Sequence, residues 1–167
     1  GELMAYCVGR NLPLVAATTG YTEEEFQAIR AGAEKVPVFQ SYNMSIGVAL
    51  LARLVGQAAA IFGGCDVEIV EAHHNRKADA PSGTALLLAD AVKAHRPDAE
   101  YVFGRHGHHK RQPNEIGIHA LRMGNVVGEH EVIFSTDSQT ITLKHQAHDR
   151  ALFAEGALTA AEFLVGK

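Results

Sequence analysis

Cysteine and long apolar runs are both scarce in this sequence. Its two cysteines, Cys7 and Cys65, have no CxxC spacing and are too few for a disulfide framework, which favours a reducing cytoplasm. No stretch reaches the roughly 18 consecutive apolar residues that would span a bilayer. The start, GELMAYCVGR, lacks the charged-then-apolar layout of a signal peptide. We therefore expect a cytoplasmic protein with no membrane segment.

An excess of basic residues is also lacking. The 15 Lys and Arg residues are outnumbered by 19 Asp and Glu residues, for a formal net charge of -4. Proteins that bind nucleic acid in general carry a basic surface that neutralises backbone phosphates. The sequence therefore disfavours a nucleic-acid partner and favours small molecules or proteins.

The first part of the chain has the pattern of an α/β protein. After a helix at 2–10, an apolar strand is predicted at 12–17, with no preceding strand or glycine loop. Thr22 and Glu25 form a capping-box signal for a helix to about Ala33, followed by a short strand at 36–39. Because the chain opens in the middle of this pattern, we expect it to be cut within a domain.

The remainder predicts a sheet with helices. A helix is expected at 44–62, a half-buried strand from Asp66 to His74, and a helix at 82–95. Residues 96–114 are expected to be loop. The last predicted elements are three strands that form an antiparallel meander, at 115–122, 126–134 and 140–148, and a helix at 150–165. The predicted fold is α/β, with an α+β substrate domain. Its open mixed sheet carries helices on one face and follows the last strand-helix units of a Rossmann-like domain.

Chemistry is concentrated in residues 71–85, EAHHNRKADAPSGTA. Two histidines and a lysine lie between a strand end and a helix start, where α/β sheets bind ligands. The PSGT segment offers free backbone N–H groups and a helix dipole, which suit a carboxylate or a phosphate. Histidine exchanges protons near neutral pH. The pattern predicts an acid-base site for a substrate with one or more carboxylates.

This stretch resembles the signature of dihydrodipicolinate reductases, an EAHH element followed by a lysine and DAPSGTA. The resemblance covers nearly the whole chain and includes further motifs: ATTGY at 17–21, SYNMSIGV at 41–48, GEH at 128–130 and RALFAEGAL at 150–158. It implies NAD(P)H-dependent reduction of 4-hydroxy-tetrahydrodipicolinate to tetrahydrodipicolinate in lysine and diaminopimelate biosynthesis.

The resemblance also implies the roles of individual residues. His73 and Lys77 assist protonation, His74, Gly83 and Thr84 hold the substrate, and Ser82 contributes its hydroxyl. The nicotinamide half of NADH or NADPH is expected at residues near two strand ends, with Arg150 as a further candidate: Ala17, Thr18, Thr19, Ser41, Tyr42, Asn43 and Met44. A homotetramer formed through the open sheet face is implied as well.

The resemblance implies a domain division. Residues 1–43 would be the remnant of a dinucleotide-binding domain, 44–149 the substrate-binding, catalytic and oligomerisation domain, and 150–167 a closing helix that returns toward the nucleotide domain. The glycine loop for the pyrophosphate, the residues that choose between NADH and NADPH, and the family's short C-terminal tail have no counterpart here. We therefore expect this chain alone to bind cofactor weakly and to turn over poorly.

Two alternatives belong to other functional classes. The chain could be a non-catalytic oligomerisation module of reductase ancestry. It could instead be a histidine-rich metal-binding domain, with ligands from His106, His108, His109, His145 and His148. Since zinc sites favour ordered ligands, the Gly-rich segment RHGHHKR is better interpreted as a mobile loop, and no metal is expected. Ser82 is interpreted as a helix cap, because GxSxG is absent.

Overall fold

The computed structural model describes residues 1–167, and these residues form two compact units. One unit comprises Gly1–Ser45 together with Ala151–Lys167, and the other comprises Ile46–Arg150. Neither contains a helix that is both long enough and apolar enough to cross a bilayer.

The unit that contains both chain ends is built on two short parallel strands. Its elements are α1 (Glu2–Arg10), β1 (Leu14–Ala16), α2 (Glu23–Ala33), β2 (Val38–Gln40) and α5 (Ala151–Leu164). Helix α2 begins at the predicted capping box, where the backbone N–H of Thr22 donates to Glu25 Oε2 over 2.9 Å. Helix α5 packs closely through Gly156, since a Cβ at that position would lie 1.7 Å from the carbonyl oxygen of Met44.

The 46–150 unit contains a five-stranded mixed sheet. Its elements are α3 (Ile46–Ile61), β3 (Asp66–His73), α4 (Gly83–Lys93), β4 (Glu100–Phe103), β5 (Glu115–Arg122), β6 (Gly128–Ser135) and β7 (Thr140–Ala147). The strand order is β4-β5-β3-β6-β7. Strands β4, β5 and β3 are parallel, whereas β6 runs antiparallel to both β3 and β7.

Two predictions for this unit are wrong. The segment 96–114 is not all loop, because it contains the edge strand β4. The three later strands do not form a meander, because β3 is inserted between β5 and β6. Helix α4 carries the chain from the carboxyl end of β3 back to the end of the sheet where β3 began. The next strand, β4, therefore runs parallel to β3.

Helices α3 and α4 cover one face of the sheet, and the mixed α/β fold was correctly predicted. The core there is formed by side chains that water does not reach, among them Val55, Val67, Ile69, Leu88 and Ile116. The opposite face carries partly exposed polar groups, including the pair His119 and Glu68, whose Nε2 and Oε2 atoms are 2.7 Å apart. The carboxyl end of the central strand β3 lies beside the N-terminus of α4.

Candidate active site

The residues of the EAHH-to-PSGT stretch converge at this end of β3. His73 is the last residue of the strand, and Ser82 is the N-cap of α4, where its Oγ accepts from the backbone N–H of Ala85 over 3.2 Å. Gly83 is exposed, with open space around it, while Thr84 is half-buried. The structure therefore places the predicted substrate-holding segment next to the predicted proton donor.

A fully buried glutamate joins the strand to the helix. Glu71 has no exposed side-chain surface and accepts from His73 Nδ1 at 2.6 Å, from the backbone N–H of Ser82 at 3.0 Å, and from Arg122 at 2.8 and 2.9 Å. Burial alone would raise the pKa of Glu71, but these hydrogen bonds outweigh burial and lower the pKa to about 2. Glu71 is therefore a carboxylate at neutral pH.

A histidine from another strand, His130, contacts the ring of His73. His130 of β6 is 4% exposed, and its ring meets that of His73 edge-on with centroids 5.1 Å apart. Its Nε2 lies 3.1 Å from Ser82 Oγ, whereas its Nδ1 is buried without a hydrogen-bond partner. Burial, assisted by the charge of His73, lowers the pKa of His130 to about 4, so this ring is neutral at pH 7.

We expect His130 to make the protein less stable in mild acid. The unfolded chain binds a proton at this position below about pH 6.5, but the folded chain binds one only near pH 4, so stability falls as the pH drops through that window. The shift corresponds to about 3 kcal/mol. Urea unfolding at pH 7 and pH 4 should therefore show a smaller acid loss, by about that amount, in His130→Gln than in the unsubstituted chain. Equal losses in the two proteins would contradict the assignment.

Lys77 is held in the loop between β3 and α4. Its Nζ lies 2.8 Å from Asp79 Oδ1, and this contact lowers the pKa of the Asp79 carboxyl below its usual value. Arg122 Nη2 donates to the carbonyl oxygen of Asp79 over 2.7 Å, in addition to its bonds with Glu71. The loop that carries Lys77 is thus tied to the same arginine that holds the buried carboxylate.

Positive charge surrounds His74. Partial burial lowers the pKa of His74 below its usual value, and the charges of Arg76, Arg150 and Lys77 act in the same direction, as does His73 when it is protonated. His74 Nδ1 is buried and has no hydrogen-bond partner. An anionic ligand would therefore meet a positive potential and a free ring atom here.

The expected cofactor residues other than Arg150 lie in the other unit, at the carboxyl ends of β1 and β2. Because these strands are parallel neighbours, the segments after Ala16 and after Gln40 leave the same edge of the pair. Ala17, Thr18 and Thr19 are exposed, and Ser41 Oγ donates to the carbonyl oxygen of Asn43 over 2.7 Å. Tyr42 is also exposed, whereas Met44 is buried in its unit. Arg150 lies in the 46–150 unit near His74.

Family models match almost the whole chain. The C-terminal domain of dihydrodipicolinate reductase matches residues 47–167, and the N-terminal domain matches residues 1–44. This chain belongs to the dihydrodipicolinate reductase family. Members of that family use NAD(P)H.

Individual members of the dihydrodipicolinate reductase family are similar over nearly the full chain. The 4-hydroxy-tetrahydrodipicolinate reductase of Caldanaerobacter subterraneus subsp. tengcongensis is 51% identical over 99% of this chain, and that of Clostridium tetani is 48% identical over 99%. The solved structure titled dipicolinate-bound dihydrodipicolinate reductase from Paenisporosarcina sp. TG-14 is 31% identical over 98% of this chain, with a TM-score of 0.79. The chain spans 67%, 66% and 63% of these three proteins, respectively.

The site contains three residues with no predicted role: Glu71, Arg122 and His130. For Glu71 the sequence carries a signal, because it occupies the same inward-facing register as Val67 and Ile69, where an acid needs a partner. Arg122 is 51 residues from Glu71, and nothing local identifies it as that partner.

The histidines proposed for the alternative metal site do not form a cluster. No group of three or more His, Cys, Asp or Glu side chains is arranged to hold a metal ion. The segment with His106, His108 and His109 follows β4, whereas His145 lies on β7, and β4 and β7 are the two opposite edges of the sheet.

Proposed function

We propose that this chain is the catalytic, substrate-binding portion of an NAD(P)H-dependent 4-hydroxy-tetrahydrodipicolinate reductase of lysine and diaminopimelate biosynthesis. The observation that carries the proposal is the set of cationic side chains, Arg76, Arg150 and Lys77, whose charges act on His74 directly after the end of β3. Two carboxylates on a small ring need such a concentration of charge and of N–H donors. His74, Gly83 and Thr84 hold the substrate in this proposal, with Ser82 fixing the start of the helix.

Reduction adds one hydride and one proton to the substrate and releases water. His73 and Lys77 supply or relay the proton in this proposal. Both are held by groups that bond to Arg122. Positioned proton donors of this kind contribute about 10²–10⁴-fold to rate. Lys77 also pairs with a substrate carboxylate, exchanging its contact with exposed Asp79 for one with the ligand.

For the nicotinamide cofactor, which supplies the hydride when bound, we propose contacts from the segments after β1 and β2. The observation that fits is the shared edge of these two parallel strands, where exposed backbone at 17–19 and the hydrogen-bonded turn at 41–45 offer polar groups. Arg150 is proposed as a further contact. The proposed residues are Ala17, Thr18, Thr19, Ser41, Tyr42, Asn43 and Met44.

Calorimetric titration with pyridine-2,6-dicarboxylate, a planar mimic of the substrate, tests the anion site. We expect saturable binding, weakened roughly tenfold or more in Lys77→Ala because a charge-assisted hydrogen bond is lost. Lys93→Ala is the matched control, since it removes the same charge from the last turn of α4, away from the site. Equal binding by all three proteins, or none by folded protein, would contradict the proposal and favour the non-catalytic oligomerisation module.

The remaining predictions accompany this function. We propose the division into residues 1–43, 44–149 and 150–167, a homotetramer formed through the open sheet face, and a cytoplasmic location. The free, buried state of Cys7 and Cys65 supports a reducing compartment. Partly exposed Ile133 and Val70, beside charged groups on the uncovered sheet face, support association through that face.

A further inference from the structure

We propose that Glu71 is a positioning residue, which fixes the neutral His73 ring with its proton on Nδ1 and so directs proton exchange through Nε2. The role of His73 as a proton donor rests on the proposed function, whereas its tautomer follows from the hydrogen bonds of Glu71 and can be tested separately.

The hydrogen bonds of Glu71 determine the tautomer. Its two oxygens face four donors: Ser82 N–H and Arg122 Nη2 at Oε1, and His73 Nδ1 and Arg122 Nη1 at Oε2. An ionised carboxylate can only accept hydrogen bonds. His73 Nδ1 lies 2.6 Å from Oε2 and must therefore carry a proton, which leaves the lone pair of the neutral ring on Nε2.

The other ring nitrogen is left free for a ligand. His73 Nε2 makes no hydrogen bond with the protein, and it faces Gly128 of β6. A Cβ at position 128 would lie 3.2 Å from Nε2, so glycine leaves the space beside this atom open. A protonated His73 would donate its Nε2 proton to the substrate and return to the Nδ1–H form, with its bond to Glu71 intact.

The same carboxylate is linked to the second proposed proton donor. Arg122 bridges Glu71 and the carbonyl oxygen of Asp79, and the Asp79 carboxylate contacts Lys77 Nζ at 2.8 Å. Glu71 and Arg122 thus hold both the His73 ring and the loop that carries Lys77. Outer groups that orient a functional histidine in this way typically affect activity by 10–100-fold, as measured at metal-bound histidines.

Glu71→Gln distinguishes this role from simple core packing. Keeping the amide oxygen toward Ser82 N–H and Arg122 Nη2 is best, because the reverse orientation would set the NH₂ group against both of these donors. The NH₂ group then faces Arg122 Nη1 and His73 Nδ1, of which only His73 Nδ1 can become an acceptor. That nitrogen must then accept, and the neutral ring should move its proton to Nε2. Two-bond ¹H–¹⁵N spectra of histidine-labelled protein, with His73 assigned from a His73→Gln variant, should show Nδ1–H in the unsubstituted chain and an inverted pattern in Glu71→Gln.

Glu68→Gln is the matched control. Glu68 lies on the same strand and contacts His119 Nε2 at 2.7 Å, but on the opposite face of the sheet. This variant should change the His119 signals and leave His73 unchanged. If Glu71→Gln does not fold, the double variant Glu71→Met/Arg122→Met removes both charges together, and His73 should then show a mixture of tautomers.

The proposal would be overturned if neutral His73 carried its proton on Nε2 in the unsubstituted protein. It would also be overturned if the His73 signals were unchanged in Glu71→Gln or, where that variant does not fold, in Glu71→Met/Arg122→Met. In steady-state assays with 4-hydroxy-tetrahydrodipicolinate and NADH or NADPH, Glu71→Gln should lower kcat 10–100-fold while KM changes less than threefold. If the unsubstituted chain shows neither turnover nor binding of the dicarboxylate mimic, the proposed function fails, while the spectra still decide the role of Glu71.

Discussion

Replacing Arg122 with methionine is expected to lower the free energy of unfolding of the 46–150 unit by about 3–5 kcal/mol at pH 7. Glu71 is fully buried, and Arg122 supplies two of its four hydrogen bonds. Removing the guanidinium leaves a carboxylate that must either remain charged without its main partner or take up a proton. Both outcomes destabilise the folded state relative to the unsubstituted chain, in which Arg122 pairs with the carboxylate.

Hydrogen exchange of the β3 and β5 amides measures this loss within the 46–150 unit. Lys144→Met is the control, because Lys144 is half-exposed in its pair with Glu129 and should change stability by less than about 1 kcal/mol. The double variant Glu71→Met/Arg122→Met should be more stable than Arg122→Met, since no unpaired charge stays buried. If Arg122→Met is as stable as the unsubstituted chain, the Glu71–Arg122 ion pair contributes nothing to the free energy of unfolding.

His73→Gln is expected to lower kcat for 4-hydroxy-tetrahydrodipicolinate reduction by about 10²–10⁴-fold. Glutamine can keep a hydrogen bond to Glu71 but has no group that exchanges a proton near neutral pH. Because the buried carboxylate keeps a partner, the fold should persist and KM should change little. The corresponding loss of transition-state stabilisation is about 3–5 kcal/mol.

His119→Gln is the matched control for this measurement. His119 also pairs with a glutamate, but it lies on the uncovered face of the sheet, and its replacement should leave kcat unchanged. Comparing both variants with the unsubstituted chain under single-turnover conditions separates proton transfer from product release. A kcat for His73→Gln within threefold of the unsubstituted value would remove His73 from the reaction.

Most elements could be predicted from local sequence because their signals are local. Helix α2 has its capping box at Thr22 and Glu25, and the bounds of α2 and β5 agree with the prediction. The edge strand β4 was missed because its four residues, Glu100–Phe103, are too few for a periodic pattern, and only the two middle ones are half-buried. Its neighbours in sequence are rich in turn-forming residues, which favoured a loop.

The neighbour of β5 was predicted wrongly, because β3 and not β6 lies beside it, although the sequence contained the needed information. A helix of eleven residues, α4, lies between β3 and the next strands, and a helical crossover favours parallel pairing. Hydrophobic periodicity gives a strand's buried face but not its neighbour or its direction, and the meander rested on periodicity alone.

The sequence indicated which residues of the candidate site come together locally but not which residues reach it from other strands. The residues from His73 to Thr84 are contiguous, and the strand-end and helix-cap signals place them together. Arg122 and His130 reach the same place from other strands, through pairings that depend on the register of the whole sheet. Their partnership with Glu71 and Ser82 follows from tertiary structure and not from any local pattern.

The insertion of β3 between β5 and β6 has a consequence for folding. The partners of β3 follow it by about fifty to seventy residues, so a growing chain cannot complete this strand's pairing until Ser135 has been synthesised. Closing loops of this length is entropically costly, and sheets with distant pairings fold slowly. Since Glu71 reaches Arg122 only when β3 and β5 are in register, the full set of hydrogen bonds that orients the His73 ring requires this long-range pairing.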